Sequence, residues 1–387
     1  MPSPHRMTSK EMLERLVSFP TVSSDSNLAL IDFVKVYLAG CGVPSTLVFN
    51  EDGTKANLFA TIGPMVPGGV VLSGHTDVVP ALEPGWTNSP WALTERNGRL
   101  YGRGACDMKG FDALALAAVP DMLAADLKAP IHIALSYDEE VGCIGAHALV
   151  ERMAETIAEP RAVFVGEPTR MRVVNGHKGL VAFETRVRGH AVHSSRIDTG
   201  VSAVMVAARL VTWLEDTMAE NSSRPAPGCF EPPYTTLHCG MIAGGVAGNI
   251  VAESCNFITD IRAIPQERPE DFRNRFEHYA RTVIEPGMKA IAPNSGIVIV
   301  DLSAVPGLAP EPNGEAEALA LALTGANDTG VVAYGTEGGI FQNAGWSTVV
   351  VGPGDIAQAH QVDEYIELEQ LDAGERFIRR LIAELAR

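Results

Sequence analysis

No two of the six cysteines, at positions 41, 106, 143, 229, 239 and 255, stand in a CxxC spacing, and they build no recurring framework. That excludes a cysteine-based zinc module or a disulfide scaffold, and the thiols of a reducing cytoplasm are the expectation. Positive charge is short: 30 Lys and Arg face 47 Asp and Glu, a formal net charge of -17. Such a chain is repelled at long range by nucleic acid and by anionic membranes, so neither is expected as a partner. A small neutral or cationic substrate fits better, although the surplus also serves plain solubility. Long apolar runs are missing as well. None approaches the roughly 18 residues that a membrane span needs, and the opening "MPSPHRMTSKEMLERLVSF" holds no apolar stretch of signal-peptide length.

What the chain does have is length and hydrophobic patterning. Its 387 residues, 46% of them hydrophobic, exceed the size at which one core keeps growing, so two domains are expected. Thr8 and Glu11 read as a capping box opening an amphipathic helix. From there to about residue 177, helical patterns such as "FDALALAAVPDMLAADL" alternate with short apolar runs: "NLFATIG", "VVLSGHTDVV", "IHIALSYDEE" and "AVFVGEPT". This alternation predicts an α/β domain with a mainly parallel central sheet flanked by helices. Near residue 178 the style changes. "LVAFETRVRG", a long helix from "GVSAVMVAARLVTWLEDTMA", two strands, a helix in "RPEDFRNRFEHYARTVIE" and a last strand "GIVIVDLSAVPG" give the order β-α-β-β-α-β, a ferredoxin-like split unit. The first style resumes after "GLAPEPNG". The expected division is therefore 1–177 with 309–387 as the catalytic domain and 178–308 as an insert.

Three of the apolar runs end in acids or histidine, "SGHTD", "SYDEE" and "VGEPT", and chemistry in open α/β sheets gathers beyond the carboxyl ends of strands. Five potential metal ligands stand there or in glycine-rich loops: His75, Asp107 in "GRGACDMKG", Glu140, Glu167 and His360 in "QAH". Mixed imidazole and carboxylate donors suit zinc, cobalt or manganese, and five exceed what one catalytic zinc takes from protein. A bridging carboxylate between two metals would use them all, and such a pair clamps an attacking water and polarises a carbonyl. Asp77 shares a strand face with His75, so it is placed to hold that imidazole. Glu139 and Glu140 point apart on an extended segment, which lets one bind metal while the other moves a proton. Each piece also has a plain alternative: a hydrogen-bonded strand-end histidine, a solvated "DEE" turn, Asp107 capping the next helix, Glu167 in a turn before Pro168. Joint placement at strand ends is what favours the metal reading.

Taken together, "SGHTDVVP", "GRGACDMKG", "SYDEEVGCIGA", "GEPT", "GHAVHSS" and "GPGDIAQAHQVDEYI" resemble, in order and over nearly the whole chain, the di-zinc amidohydrolase and exopeptidase family. The family includes desuccinylases, aminoacylases, glutamate carboxypeptidase and acetylornithine deacetylases. The resemblance implies His75 and Glu167 on one metal, Glu140 and His360 on the other, Asp107 as bridge, Glu139 as general acid/base and Asp77 as support for His75. It also implies that the insert is a lid and dimerisation domain, and that His193 reaches a neighbouring subunit's site to stabilise the oxyanion. For "HSS" the residues themselves allow a helix-capping turn.

Within the family, the likeness is greatest to the acetylornithine deacetylase branch. That implies hydrolysis of N(2)-acetyl-L-ornithine to L-ornithine and acetate, a step of arginine biosynthesis. "GGVAGNIVAESCNFITDIR" then suggests Asn249 and Arg262 for the substrate α-carboxylate. "YGTEGG" suggests Thr336 and Glu337, with Glu337 pairing to the substrate δ-ammonium; a helix start capped by Thr336 is the plain alternative. His177 and Lys178 have no role assignable by chemistry. Other readings are a desuccinylase, aminoacylase or dipeptidase of the same family, or a non-catalytic binder of metal or amino acid.

Overall fold

The computed structural model describes residues 6–82, 84–226 and 230–387. Two compact units emerge. Among the described residues, one comprises those up to 176 with 308–331 and 336–387, and the other those within 177–307 and 332–335.

The first unit is built on an eight-stranded sheet in the order Ser45–Phe49, Ala56–Ile62, Ile131–Ser136, Gly69–His75, Pro160–Val165, Thr348–Val350, Val174–His177 and Gly330–Val332. The four middle strands, from Ile131–Ser136 to Thr348–Val350, run parallel. Antiparallel pairs flank them on both sides. The α/β fold with a mainly parallel centre, expected from alternation, is therefore observed, with an antiparallel margin that alternation alone does not reveal. Val70, Val71 and Leu72 are fully buried between neighbours on both sides, which is why the strand reads as an unbroken apolar run. The first helix, Ser9–Val17, opens on the capping box: Glu11 N–H donates to Thr8 Oγ1 and Thr8 N–H to Glu11 Oε2.

Two glycines are fixed by close approach. A Cβ on Gly74 would lie 2.1 Å from Asp112 Oδ1, and one on Gly166 would lie 2.0 Å from the Phe111 ring. The helix Lys109–Ala117 thus packs tightly under the strand ends that carry His75 and Glu167.

The second unit shows the order β-α-β-β-α-β, its four-stranded antiparallel sheet running Thr236–Gly244, Ser254–Ala263, Gly179–Arg188, Gly296–Val305. Its core gathers Phe183, Phe257 and Phe276 with one face of the helix Ala203–Ser222. Cys41, Cys106, Cys143, Cys239 and Cys255 are free thiols, whereas Cys229 lies outside the described residues. Among the described residues, no helix is long and apolar enough to cross a membrane.

Two buried histidines make stability depend on pH. Burial pushes His132 down to about 4, and burial likewise pushes His177 down to about 4, against an ordinary 6.5. The unfolded chain then binds protons that the folded chain refuses, so their contribution is complete above pH 6.5 and is lost as pH falls toward 4. Each shift is worth about 3 kcal/mol at most. The urea midpoint is expected to fall between pH 7 and pH 5, with a shallower fall in His132→Asn. An unchanged midpoint over that range would contradict this account.

Candidate metal centre

His75 closes the central strand, and its Nδ1–H donates to the main-chain carbonyl of Asp77 at 2.9 Å. That bond orients the ring and turns Nε2 inward as the nitrogen that faces the acids. Nε2 faces Asp107 Oδ1 at 3.1 Å and Glu167 Oε1 at 3.7 Å. On the far side, Asp107 Oδ2 lies 3.3 Å from His360 Nε2, which is also 2.9 Å from Glu140 Oε2. Asp107 thus turns one oxygen to each imidazole. Donor atoms around a tetrahedral zinc with bonds of about 2.0–2.2 Å stand roughly 3.3–3.6 Å apart, so these spacings suit cation seats on either side of Asp107. Glu139 also comes within 4.8 Å of His75 and Glu167 by its nearest donor atoms, as do Asp107 and Glu140 with His75.

The electrostatics point the same way. Burial pushes the carboxyls of Glu167, Glu139 and Glu140 upward, and neighbouring acids add to it. Asp107 alone is held low: burial opposes its ionisation, but hydrogen bonds from His360 and His75 outweigh that. His360, half exposed, is pushed up to about 10 by its bonds to Asp107 and Glu140. Four crowded, buried acids of this kind ionise together only beside added positive charge, and divalent cations supply it. The donor set therefore fits a pair of divalent metals.

The sequence profile of Peptidase family M20/M25/M40 matches residues 71–384. This chain belongs to that family. Among M20 relatives, it is 36% identical over 379 residues to "Acetylornithine deacetylase" of Myxococcus xanthus, covering 96% of each chain. It is 33% identical over 389 residues to the protein of the same name from Photorhabdus laumondii, again over 96% of each. An M20 metallo-carboxypeptidase from Sulfolobus solfataricus superposes with TM-score 0.78 at 17% identity, over 98% of this chain and 99% of that one. A Staphylococcus aureus tripeptidase gives 0.73 at 19%, over 99% and 100%. At those identities the solved structures speak for the M20 fold alone.

Several of the expected site residues behave differently from expectation. Asp77 holds His75 by its carbonyl, while its carboxylate is 3.6 Å from the ring nitrogen. That carboxylate instead accepts the N–H groups of Glu139 and Glu140, at 3.1 and 3.3 Å, and the Ser23 hydroxyl at 2.7 Å. It ties the "DEE" turn to the strand end. Glu337, expected to meet a substrate ammonium, is 1% exposed, and its two oxygens accept the hydroxyls of Ser73 at 2.6 Å and Ser136 at 2.7 Å. Ser73 lies two residues before His75 on the same strand, so Glu337 is packed behind the imidazole, and this geometry does not support the ammonium contact. Thr336 Oγ1 accepts Gly338 N–H at 3.0 Å, but the N-cap of the helix Gly338–Asn343 is Glu337, so Thr336 stands one residue ahead of the cap.

The remaining expected residues lie in the second unit. His193 is exposed and accepts Ser195 N–H through Nδ1, capping the short 3₁₀ helix Ser194–Thr199. Asn249 is next to it, since its carbonyl accepts Ser194 N–H at 3.0 Å. Arg262 is not: it pairs with Thr236 and donates to Asp260 Oδ1 at 2.9 Å, at the opposite end of the strand from Ser254. Eight residues of strand separate the two ends by about 26 Å. His177 Nδ1 donates to the Lys178 carbonyl at 3.0 Å, and Lys178 Nζ donates to Tyr234 O at 2.8 Å, so both are tied to main chain.

Sequence reasoning missed Glu364. Fully buried, it accepts Gly104, Cys106 and Asp107 N–H at 3.1, 2.9 and 3.1 Å and the Arg103 guanidinium at 2.8 Å. One carboxylate four residues after His360 therefore shapes the loop that presents Asp107. The only sequence sign was its place in "QAHQVDEYI".

Proposed function

We propose that this chain hydrolyses the amide bond of N-acyl amino acids, N(2)-acetyl-L-ornithine foremost, releasing acetate and L-ornithine. The observation that carries the reading is the convergence of His75, Asp107, Glu140, Glu167 and His360 around a two-sided Asp107, with Glu139 beside them. Full-length likeness to relatives named acetylornithine deacetylase supports the substrate. When bound, two divalent cations, zinc by the donor set and cobalt or manganese as substitutes, polarise the amide carbonyl and acidify water.

The chain's residues do the rest. His75, Asp107 and Glu167 would hold one cation, and Asp107, Glu140 and His360 the other. A Glu139 oxygen takes a proton as water forms its bond to the acyl carbon, then returns it to the nitrogen as the carbon–nitrogen bond breaks. Asp77 and Ser23 keep the Glu139 main chain in register for both transfers. The resemblance assigns His193 to the oxyanion, with Asn249 and Arg262 on the substrate α-carboxylate. Asn249 lies in the loop between the strands Thr236–Gly244 and Ser254–Ala263, and Arg262 near the far end of the second of them. A homodimer agrees with the second unit's edge strand Thr236–Gly244, where Met241 and Ile242, followed by Val246, are exposed. A cytoplasmic location suits a biosynthetic hydrolase with free thiols.

Chelation and dialysis are expected to abolish hydrolysis, and zinc or cobalt to restore it; full activity in a rigorously metal-free preparation would sink the reading. Across N-acetylornithine, N-acetylmethionine, N-succinyl-diaminopimelate and dipeptides, kcat/KM is expected to be highest for N-acetylornithine. A higher value for another member would move the chain to that branch, and binding without turnover throughout would make it a binding protein. Glu337→Gln is expected to lower kcat/KM for N-acetylornithine and N-acetylmethionine by the same factor, because the carboxylate lies behind His75. A loss tenfold larger for N-acetylornithine would restore the ammonium contact.

A further inference from the structure

Position 143 breaks two local rules at once. It is the N-cap of the helix Ile144–Thr156, where Ser, Thr, Asp or Asn would satisfy a helix N–H, yet a cysteine stands there and makes no capping bond. Its backbone is left-handed, with φ 55° and ψ 32°, a conformation that glycine or asparagine adopts at much lower cost. Residues that violate local preference gather at functional sites, where surrounding contacts hold them in place.

Those contacts are visible. Cys143 N–H and Gly142 N–H both donate to the Glu139 carbonyl at 2.9 Å, Ile144 N–H donates to Asp138 O at 3.1 Å, and Gly145 N–H to Tyr137 O at 3.1 Å. The tight turn bends the side chain back toward its own start. The Cys143 thiol is 2% exposed, and Sγ lies 3.2 Å from Glu139 Oε1.

We propose that Cys143 is a positioning residue for hydrolysis: its thiol donates to Glu139 Oε1 and holds that carboxylate in one rotamer, leaving Oε2 to take and return the proton. The inference rests on the reading of Glu139 as the base. A second anchor is needed because Asp77 fixes only the main chain of Glu139, and the carboxylate stands three torsions away from it. An S–H group is a weak donor that presents no acceptor of consequence to a carboxylate, so it orients the acid while leaving the second oxygen free.

The test uses three variants of the full-length, metal-loaded protein with N-acetylornithine. Cys143→Ala is expected to lower kcat about five- to tenfold with KM unchanged, since one oriented hydrogen bond is lost. Cys143→Ser restores kcat to within about twofold, because the hydroxyl is again a donor. Cys143→Gly loses rate as the Ala variant does but melts at a higher temperature than it, since glycine accepts the left-handed backbone. In the infrared, the S–H band of the unaltered protein is expected to lie at lower frequency than in Glu139→Ala. Wild-type kcat in Cys143→Ala, or an S–H band that ignores Glu139→Ala, overturns the proposal. If Cys143→Ala keeps full rate while Glu139→Gln is inactive, the base assignment stands and only the positioning role falls. If Glu139→Gln stays active, both fall.

Discussion

Glu139→Gln is expected to turn over N-acetylornithine about 10²–10⁴-fold more slowly than the unaltered chain, with metal content unchanged. The amide keeps the volume of the carboxylate and its main-chain N–H still donates to Asp77 Oδ1, so the "DEE" turn is preserved. What it removes is the only proton acceptor on that side chain that can ionise. Glu140→Gln should behave differently: its carboxylate faces His360 Nε2 at 2.9 Å, and losing its charge is expected to weaken cation binding as well as rate. Metal per chain measured beside single-turnover rates separates the two. Turnover surviving in Glu139→Gln would show that the proton moves through another group.

Glu364→Ala is expected to be the most damaging single change for the fold around the site, costing about 3–5 kcal/mol in denaturant unfolding. Three main-chain N–H groups and the Arg103 guanidinium, all fully buried, lose their shared carboxylate at once. Removing one acceptor from four buried donors at once is why the effect exceeds that of a surface pair. Since the same loop presents Asp107, affinity at both cation seats is expected to fall together. Glu364→Gln keeps one acceptor oxygen and should recover part of the stability. A Glu364→Ala protein with normal midpoint and normal metal affinity would remove Glu364 from this role.

The contrast between these two residues explains what the sequence made legible. Strand-end acids and imidazoles were readable because the parallel centre of an α/β sheet forces apolar runs and ends them at one edge, so "SGHTD", "SYDEE" and "VGEPT" stand out against their own strands. The α/β class and the β-α-β-β-α-β insert followed from the same periodicities. Glu364 was hidden because nothing local marks a loop carboxylate that is buried by a segment more than 250 residues away in sequence. Glu337 misled for a related reason: "TEGG" looks like a polar loop, and only the fold reveals Ser73 and Ser136 closing over the carboxylate. Asp77 was placed on the correct face but through the wrong atoms, since strand alternation fixes a side chain's direction and is silent about a carbonyl two residues from a histidine.

The five side chains proposed to hold metal are spread unevenly along the polypeptide, and synthesis proceeds in one direction. A growing chain that has passed Glu167 already carries every donor assigned to the first cation, His75, Asp107 and Glu167, whereas the second cation must wait until His360 has left the ribosome. Yet the loop that presents Asp107 is held by Glu364, which follows His360 in the chain, so neither proposed seat is complete until the C-terminal segment has emerged, and both ions load late.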